Sequence, residues 1–348
     1  MGTFANSPPK LNEKPTRKQV QVRTRSLALV MVAVLLSPLS LAAQTKGSAP
    51  RTPDGRPDLQ GMWTNATYTP LQRPANLGTK AFYTDVELAE VERRRLAQAP
   101  EVTEPGTAAD VHYDFGQFGL ERGQGVVAPN KRTSLIVDPP DGRIPPLTVE
   151  GQKRAAVRAE ARKLMGGPFD GPENRGLAER CIVWNAGPPI LPIGYNSNYQ
   201  IVQSADYVMI LTEMIHDVRI IPLDGRPPLP QGIRQLLGSS RGRWEGDTLV
   251  VETTNFTDRT AFQGSGENLH ITERFTRVSA DTLKYEFTAK DPSTWAVPWS
   301  AEIPMAAITG PIFEYACHEG NYGLANNLAG ARAEEKAAAE AAAGKGSQ

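Results

Sequence analysis

The sequence predicts a mainly β protein whose antiparallel meander forms a barrel or a curled sheet, with N-terminal helices and long loops. Eight short runs rich in Val, Ile, Thr and Tyr follow one another between residues 198 and 319, and turn residues separate them. Gly and Pro are abundant, with 31 and 29 residues in a chain of 348, which favours many turns over long helices. Strands in such close succession pair with their sequence neighbours, and a sheet of this size avoids exposed edges by curling or closing.

The N-terminal residues have the pattern of a secretory signal peptide. A basic segment ends at Arg25, an apolar run spans residues 27–36, and small residues follow up to Ala42. The apolar run is short for a membrane anchor, and polar residues follow it at once. We expect residues 1–43 to be a signal peptide and the mature protein to be periplasmic or secreted, without stable membrane insertion after cleavage. An uncleaved N-terminal anchor helix is the alternative.

Residues 44–180 predict an N-terminal segment with a first strand, two helices and loops. Residues 61–63 begin the strand after a stretch rich in Pro and Gly. Residues 84–98 open with a Thr and a Glu three positions later, which is typical of a helix capping box, and place apolar residues among charges. A second, basic helix is predicted at residues 149–165, where two glycines end it. The intervening chain lacks periodicity and predicts loop, with one short strand at residues 134–137.

Residues 181–323 contain the predicted barrel, and residues 324–348 form an Ala-rich tail of low complexity. Cys181 and Cys317 are the two cysteines of the chain. Export to an oxidising compartment predicts that they form a disulfide, and closing so long a loop would stabilise the fold by about 4 to 5 kcal/mol in the chain-entropy model. The alternative is a nucleophilic Cys317 beside His318, which strand alternation disfavours because adjacent side chains point to opposite faces.

Two features of the sequence resemble known proteins. The Gly-x-Trp at residues 61–63, followed by a strand meander, resembles the lipocalin-like (calycin) barrels, in which this motif of the first strand packs across the bottom of the barrel. In that family the motif runs straight into consecutive strands, whereas here a long stretch of helix and loop intervenes, and a Trp closing another β core would look the same. The runs "SRGRWEGDTLVVETTNF" and "YACHEGNYGLAN" resemble a group of exported bacterial proteins, which supports export.

Charge and motif content disfavour several functions. The 38 basic and 38 acidic residues balance to a net charge of 0, and the basic residues form no stripe interleaved with aromatics, so nucleic acid is not an expected partner. No phosphate-binding loop, dinucleotide Gly fingerprint or Gly-x-Ser-x-Gly elbow occurs, and the histidines lack the spacing of metal ligands. We therefore expect a small-molecule ligand with no cofactor or metal, while the oligomeric state is left open. The alternative is a mononuclear metal site formed by His318 with His216 and His270.

Four residues are candidate catalytic groups: His216, His270, Glu273 and His318. A Glu or His whose pKa is shifted toward neutrality inside a barrel can abstract and return a proton. Strand alternation places His270 and Glu273 on opposite faces, and it turns His318 away from the predicted disulfide. The alternatives are core histidines with satisfied hydrogen bonds and a solvent-facing Glu/Arg pair, both of which are structural.

Eight further residues are candidate ligand contacts: Trp63, Trp184, Asn185, Tyr195, Arg219, Asn255, Glu319 and Asn321. Three of them belong to residues 184–199, a loop rich in aromatics and amides on a Pro/Gly backbone. Such a loop predicts the rim of a pocket that stacks on a sugar or an aromatic ligand, and a rigid plug over the barrel end is the alternative.

These observations predict an exported β-barrel protein that binds a small ligand. As an enzyme it would be a cofactor-independent lyase, isomerase or hydrolase acting on a small glycan or aromatic compound. A non-catalytic cell-envelope binding or structural protein is the alternative, because the sequence has no motif that names a reaction.

Overall fold

The computed structural model describes residues 49–97, 131–184, 187–193, 195–259 and 262–345. The predicted signal peptide lies outside these residues. The described strands are β1 Gly61–Thr64, β2 Ile136–Asp138, β3 Asn198–Gln203, β4 Tyr207–Thr212, β5 Val218–Pro222, β6 Ser239–Glu245, β7 Thr248–Thr254, β8 His270–Arg277, β9 Thr282–Lys290 and β10 Trp299–Ala307. The described α-helices are α1 Asp85–Ala97, α2 Val149–Leu164 and α3 Tyr322–Lys345. Among the described helices, none is long and apolar enough to cross a membrane.

The strands form one antiparallel sheet that curls into a nearly closed barrel. The order is β5-β4-β3-β1-β10-β9-β8-β7-β6, and β2 pairs with β10. The first strand, β1, joins two meanders because it pairs with β3 on one side and β10 on the other. The edge strands β5 and β6 meet where Gly242 lies, since a Cβ there would be 2.6 Å from the Leu223 side chain and 2.9 Å from that of Ile221. The predicted fold class is confirmed.

Alternation along each strand fills the barrel interior. On β8 the buried residues are Ile271, Glu273 and Phe275, and on β9 and β10 every second residue is likewise buried. The interior side chains of neighbouring strands form one continuous core with Trp63. Side chains therefore fill the barrel along most of its length, and space for a ligand is expected at one of its ends.

The structure differs from the sequence prediction at three places. Residues 313–319, the last of the eight predicted strand runs, form an extended stretch and a turn, because the chain there is held by Cys317 and is largely exposed. β6 was not predicted, since "SSRGRWE" has a glycine and charges in place of apolar alternation. Its outward charges instead pair with neighbouring strands, as Arg243 does with Glu252. The short strand predicted at residues 134–137 lies at Ile136–Asp138.

The predicted helices begin where their capping residues lie. Before α1, the Thr84 hydroxyl accepts from the Glu87 N–H at 3.3 Å, and the Glu87 carboxylate accepts from the Thr84 N–H at 2.8 Å. Before α2, the Thr148 hydroxyl accepts from the Gly151 N–H at 3.0 Å. Both contacts satisfy backbone donors that the first turn of a helix leaves free.

We call the barrel end at the β6–β7 turn and the β8–β9 connection the closed end. Trp63 lies there, 1 % exposed, with its indole N–H donating to the Leu59 carbonyl oxygen at 3.0 Å. The Arg277 guanidinium lies over this ring, 5.0 Å from its centroid, and donates to the Asp58 carbonyl oxygen at 2.6 Å. Gly61 has a φ of 136°, a conformation that explains the glycine of the Gly-x-Trp motif.

We call the opposite end the mouth. There β7 ends at Thr254, opposite the first residue of β6, and β8 begins at His270. Long connections of the chain gather at this end, including residues 187–193, 233–238, 255–259 and 262–269. The mouth is therefore the end of the barrel at which long loops connect the strands, and side chains from segments distant in sequence meet there.

Candidate ligand-binding cavity

A cavity of about 580 Å³ lies at the mouth. Its volume falls in the range of small-molecule sites, roughly 300–1,000 Å³. The lining comes from residues 175–177, 183–184, 187–189 and 191–193, from residues 236–237, and from four side chains of the loop between β7 and β8. Leucine, proline, isoleucine, valine and aromatic side chains dominate it. The cavity is thus a half-open, mainly apolar space that several loops border.

Residues 187–193, here the plug loop, enter the mouth and form one wall of the cavity. Pro188, Pro189 and Ile190 are buried, and the Ile190 N–H donates to the Tyr285 hydroxyl inside the barrel at 2.8 Å. Gly187 has a φ of 69°, and a Cβ there would lie 2.8 Å from the Pro189 backbone, so the turn requires glycine. The loop is therefore both a plug of the barrel and a wall of the cavity, while the stacking of this region on a sugar or an aromatic ligand stays a prediction.

A buried polar network holds the plug loop from below. The Arg219 guanidinium donates to both Glu273 carboxylate oxygens, at 3.1 and 2.6 Å, and the Tyr285 hydroxyl donates to the same carboxylate at 2.9 Å. Burial opposes the charge of Arg219, but the Glu273 carboxylate raises its pKa, while burial and the Glu273 charge raise the pKa of Tyr285. The Arg219–Glu273 ion pair therefore accepts a hydrogen bond from the neutral Tyr285 hydroxyl, and that hydroxyl accepts one from the Ile190 N–H.

The disulfide between Cys181 and Cys317 is confirmed, with the two Cα atoms 5.7 Å apart. Cys181 lies two residues before Val183, which lines the cavity. Asn321 reinforces this attachment, because its side-chain amide donates to the Glu179 carbonyl oxygen at 2.8 Å. The disulfide and this hydrogen bond together fasten the segment before α3 to the wall of the cavity.

His216 lies outside the cavity, on a tight turn between β4 and β5. Its ring Nδ1 is 3.3 Å from the Tyr315 carbonyl oxygen, and the side chain is exposed. Ile215 and His216 have φ values of 60° and 45°, which are strained for non-glycine residues. Burial raises the pKa of the neighbouring Asp217, and the charge of His216 counteracts part of that effect.

The four candidate catalytic residues occupy separate environments. Glu273 lies inside the barrel, whereas His270 lies on its outer face and hydrogen-bonds to Glu252. The hydrogen bond from His270 is the main cause that lowers the pKa of Glu252, against its partial burial. His318 is exposed in the turn after the disulfide, three residues from the Tyr315 that His216 contacts. None of the four lines the cavity, and their catalytic role stays a prediction.

The candidate ligand contacts are also dispersed. Trp184 lines the cavity, and Tyr195 meets its ring edge-on at a centroid distance of 6.0 Å. Asn255 donates to the carbonyl oxygens of three residues between 229 and 233, so it holds a loop. Glu319 is exposed in the turn before α3. The remaining contacts lie elsewhere: Trp63 at the closed end, Arg219 in the interior network, Asn321 beside the disulfide, and Asn185 outside the described residues.

Most of the cavity lining was not predicted from sequence. Leu237, Phe256 and Phe262 line it from loops that surround β6 and β7. Phe262 also stacks on Trp299, with ring centroids 5.7 Å apart. The sequence signal for this lining is the presence of large apolar side chains in otherwise polar, glycine-containing loops. Such side chains need an apolar surface to pack against, and the strands do not provide one.

Charge at the cavity is confined to two arginines, Arg175 and Arg259, and no carboxylate is among the described residues that line it. Arg175 is ion-paired with Glu179 and lies 4.5 Å from the centroid of the Phe169 ring. Arg259 is exposed and makes no hydrogen bond or ion pair within the described part of the chain. No group of three or more His, Cys, Asp or Glu residues in that part could hold a metal ion.

A comparison of the chain with protein-family models found no match, and a comparison with curated protein sequences found none either. Any assignment of function therefore rests on the geometry of the cavity.

Proposed function

We propose that this is an exported binding protein that holds a small, largely apolar molecule in the mouth cavity. The observation that carries the proposal is an apolar space of about 580 Å³ whose walls are braced by a disulfide and by a buried polar network. Braced walls favour binding because little conformational freedom is lost when a ligand enters. The disulfide is compatible with an oxidising compartment and so supports export.

The lining favours an aromatic or aliphatic ligand over a glycan. Trp184, Phe256 and Phe262 offer ring faces and edges, whereas hydrogen-bonding side chains are few. A sugar would lose hydrogen bonds to water without recovering them in such a site. The barrel and the Gly-x-Trp packing at the closed end support kinship with the lipocalin-like barrels, and binding rather than catalysis is the function that the cavity supports best.

The proposal is tested with the neutral fluorescent probe N-phenyl-1-naphthylamine. The wild-type protein is expected to bind it, and Leu237→Trp, which fills the cavity, is expected to weaken binding about tenfold or more, because the ring occupies the ligand's space. The matched control is Ile220→Trp on the outer face of β5, where the side chain is 62 % exposed. It should bind as the wild type does.

Fluorescence titration of the three proteins, with thermal unfolding of each, decides the matter. Absence of probe binding by the wild type contradicts the proposal. Equal binding by the wild type and a folded Leu237→Trp protein contradicts it too, because the probe would then bind elsewhere.

A further inference from the structure

We infer that the ligand of the mouth cavity is an amphipathic monoanion, an apolar body with one carboxylate, and that Arg259 binds the carboxylate. This inference rests on the proposed function and adds the chemical class of the ligand. It follows from which charged groups surround the cavity and from what each of them already contacts.

The first arginine of the lining is already committed to protein groups. Arg175 is ion-paired with Glu179, donates to the Pro168 carbonyl oxygen at 3.2 Å and lies over the Phe169 ring. Its side chain is 13 % exposed. Arg175 is therefore neutralised and helps to build the wall.

Arg259, unlike Arg175, has no partner among the described residues, and two other arginines contact the backbone of its loop. Arg158 of α2 donates to the carbonyl oxygens of Asp258, Gly264 and Ser265 at 3.0–3.3 Å. Arg234 donates to the carbonyl oxygen of Phe256 at 3.1 Å and pairs with a carboxylate farther along the same loop. Side chains from outside the loop thus hold the chain just before Arg259 and again at Gly264 and Ser265, whereas the Arg259 guanidinium has no partner among the described residues.

A cation that has no partner among the described residues and lies beside an apolar cavity selects an anion whose remaining surface is apolar. The guanidinium presents paired N–H donors that match a carboxylate, and the nearby apolar lining weakens the competition from water. The exposed Asp258 is adjacent in sequence but does not line the cavity, so the lining itself has an excess of positive charge. A phosphate monoester carries a second charge, whereas Arg259 is the one cation of the described lining that has no carboxylate partner. One carboxylate is the charge that fits.

The test measures how decanoate and 1-decanol displace N-phenyl-1-naphthylamine. Arg259→Gln is expected to raise the decanoate Kd about tenfold or more, because a hydrogen-bonded charge pair is lost, and to leave the 1-decanol Kd within about twofold. Arg56→Gln is the matched control, since Arg56 is exposed near the closed end and the change in net charge is the same. Arg259→Lys, which keeps the charge, should recover part of the decanoate affinity.

The outcomes separate this inference from the function on which it rests. If the probe binds and Arg259→Gln leaves decanoate affinity unchanged, the inference is wrong and the binding function stands. The inference is equally wrong if Arg259→Gln weakens decanoate and 1-decanol alike, because the arginine would then only shape the cavity. If the probe does not bind to the wild type, the proposed function fails, and the inference fails with it.

Discussion

The two ends of the barrel differ in how their polar groups are used, although both contain tryptophan and arginine. At the closed end the Trp63 N–H donates to a backbone carbonyl oxygen, and Arg277 donates to three others at 2.5–3.2 Å. At the mouth the buried N–H groups of Trp295 and Trp299 have no hydrogen-bond partner within the described residues. Arg259 has none there either.

This difference suggests that the closed end contributes mainly to the stability of the fold and that the mouth is suited to ligand binding. An end where the buried Trp63 N–H and the Arg277 guanidinium are paired within the described residues contributes to folding, since buried polar groups are costly only when unpaired. An end that keeps apolar volume and an unused cation contributes less to folding and is suited to a ligand. Substitutions at the closed end should therefore change stability, and those at the mouth should change binding.

Trp63→Ala should have the largest effect on stability. The substitution removes a fully buried indole ring and its contact with the Arg277 guanidinium. We therefore expect a loss of about 4 to 5 kcal/mol in the free energy of unfolding. The matched change at the mouth is Trp184→Ala, where the residue is 40 % exposed. It should cost less than about 1 kcal/mol while weakening probe binding. Urea unfolding checks both, and equal losses of stability would break the distinction between the two ends.

Arg219→Met should have the next largest effect, a loss of about 3 kcal/mol or more, because it leaves the Glu273 carboxylate buried without its cation. The double variant Arg219→Met/Glu273→Gln removes the unpaired buried carboxylate, and the amide oxygen at position 273 can still accept the hydrogen bond from the Tyr285 hydroxyl. It should be more stable than the single variant. Equal stability of the single and double variants in chemical denaturation would show that the pair is not buried as described.

Asp291 should show a smaller, pH-dependent effect at the mouth. Although burial opposes ionisation, hydrogen bonds from Ser293, Thr294 and the Gly266 N–H hold the pKa of Asp291 below its usual value. A lowered folded-state pKa gives stability that is present above the unfolded-state pKa, near 4, and is lost as the pH falls through the folded-state value. We expect Asp291→Asn to cost about 1 to 2 kcal/mol at pH 7.

Unfolding in urea across the acidic range checks the sign of this effect. The difference between wild type and Asp291→Asn should shrink as the pH falls below about 4. A difference that stays constant with pH would mean that the ionised carboxylate does not anchor the loop of Gly266.

The fold was largely predictable because alternation of apolar residues is a local property of each strand. The same alternation placed His270 and Glu273 on opposite faces, as the structure has them. It failed at β6, whose outer residues are charged and whose inner face carries Gly242 against β5. It also misassigned residues 313–319, where the disulfide and not a strand neighbour fixes the chain.

The cavity was less predictable because it forms between loops that are distant in sequence. Trp184 was predicted as a ligand contact and lies in the lining, but Leu237 and Phe262 join it only after the barrel brings their loops to one end. The role of Arg259 depends on which cations lack partners, and pairing is a property of the folded chain. The histidines were predicted as titratable groups, whereas the proposed binding of an apolar molecule does not require a group that titrates.

A crystal structure of the protein with 1-bromonaphthalene tests the central claim most directly. The ligand is neutral, so the result does not depend on Arg259, and anomalous scattering from bromine locates it without ambiguity. We predict a bromine position inside the mouth cavity, between Leu237 and Phe262, with the closed end unchanged. Bromine bound only elsewhere, for example at the exposed Val218 and Ile220 on the outer face of β5, would contradict the claim that the mouth is the binding site.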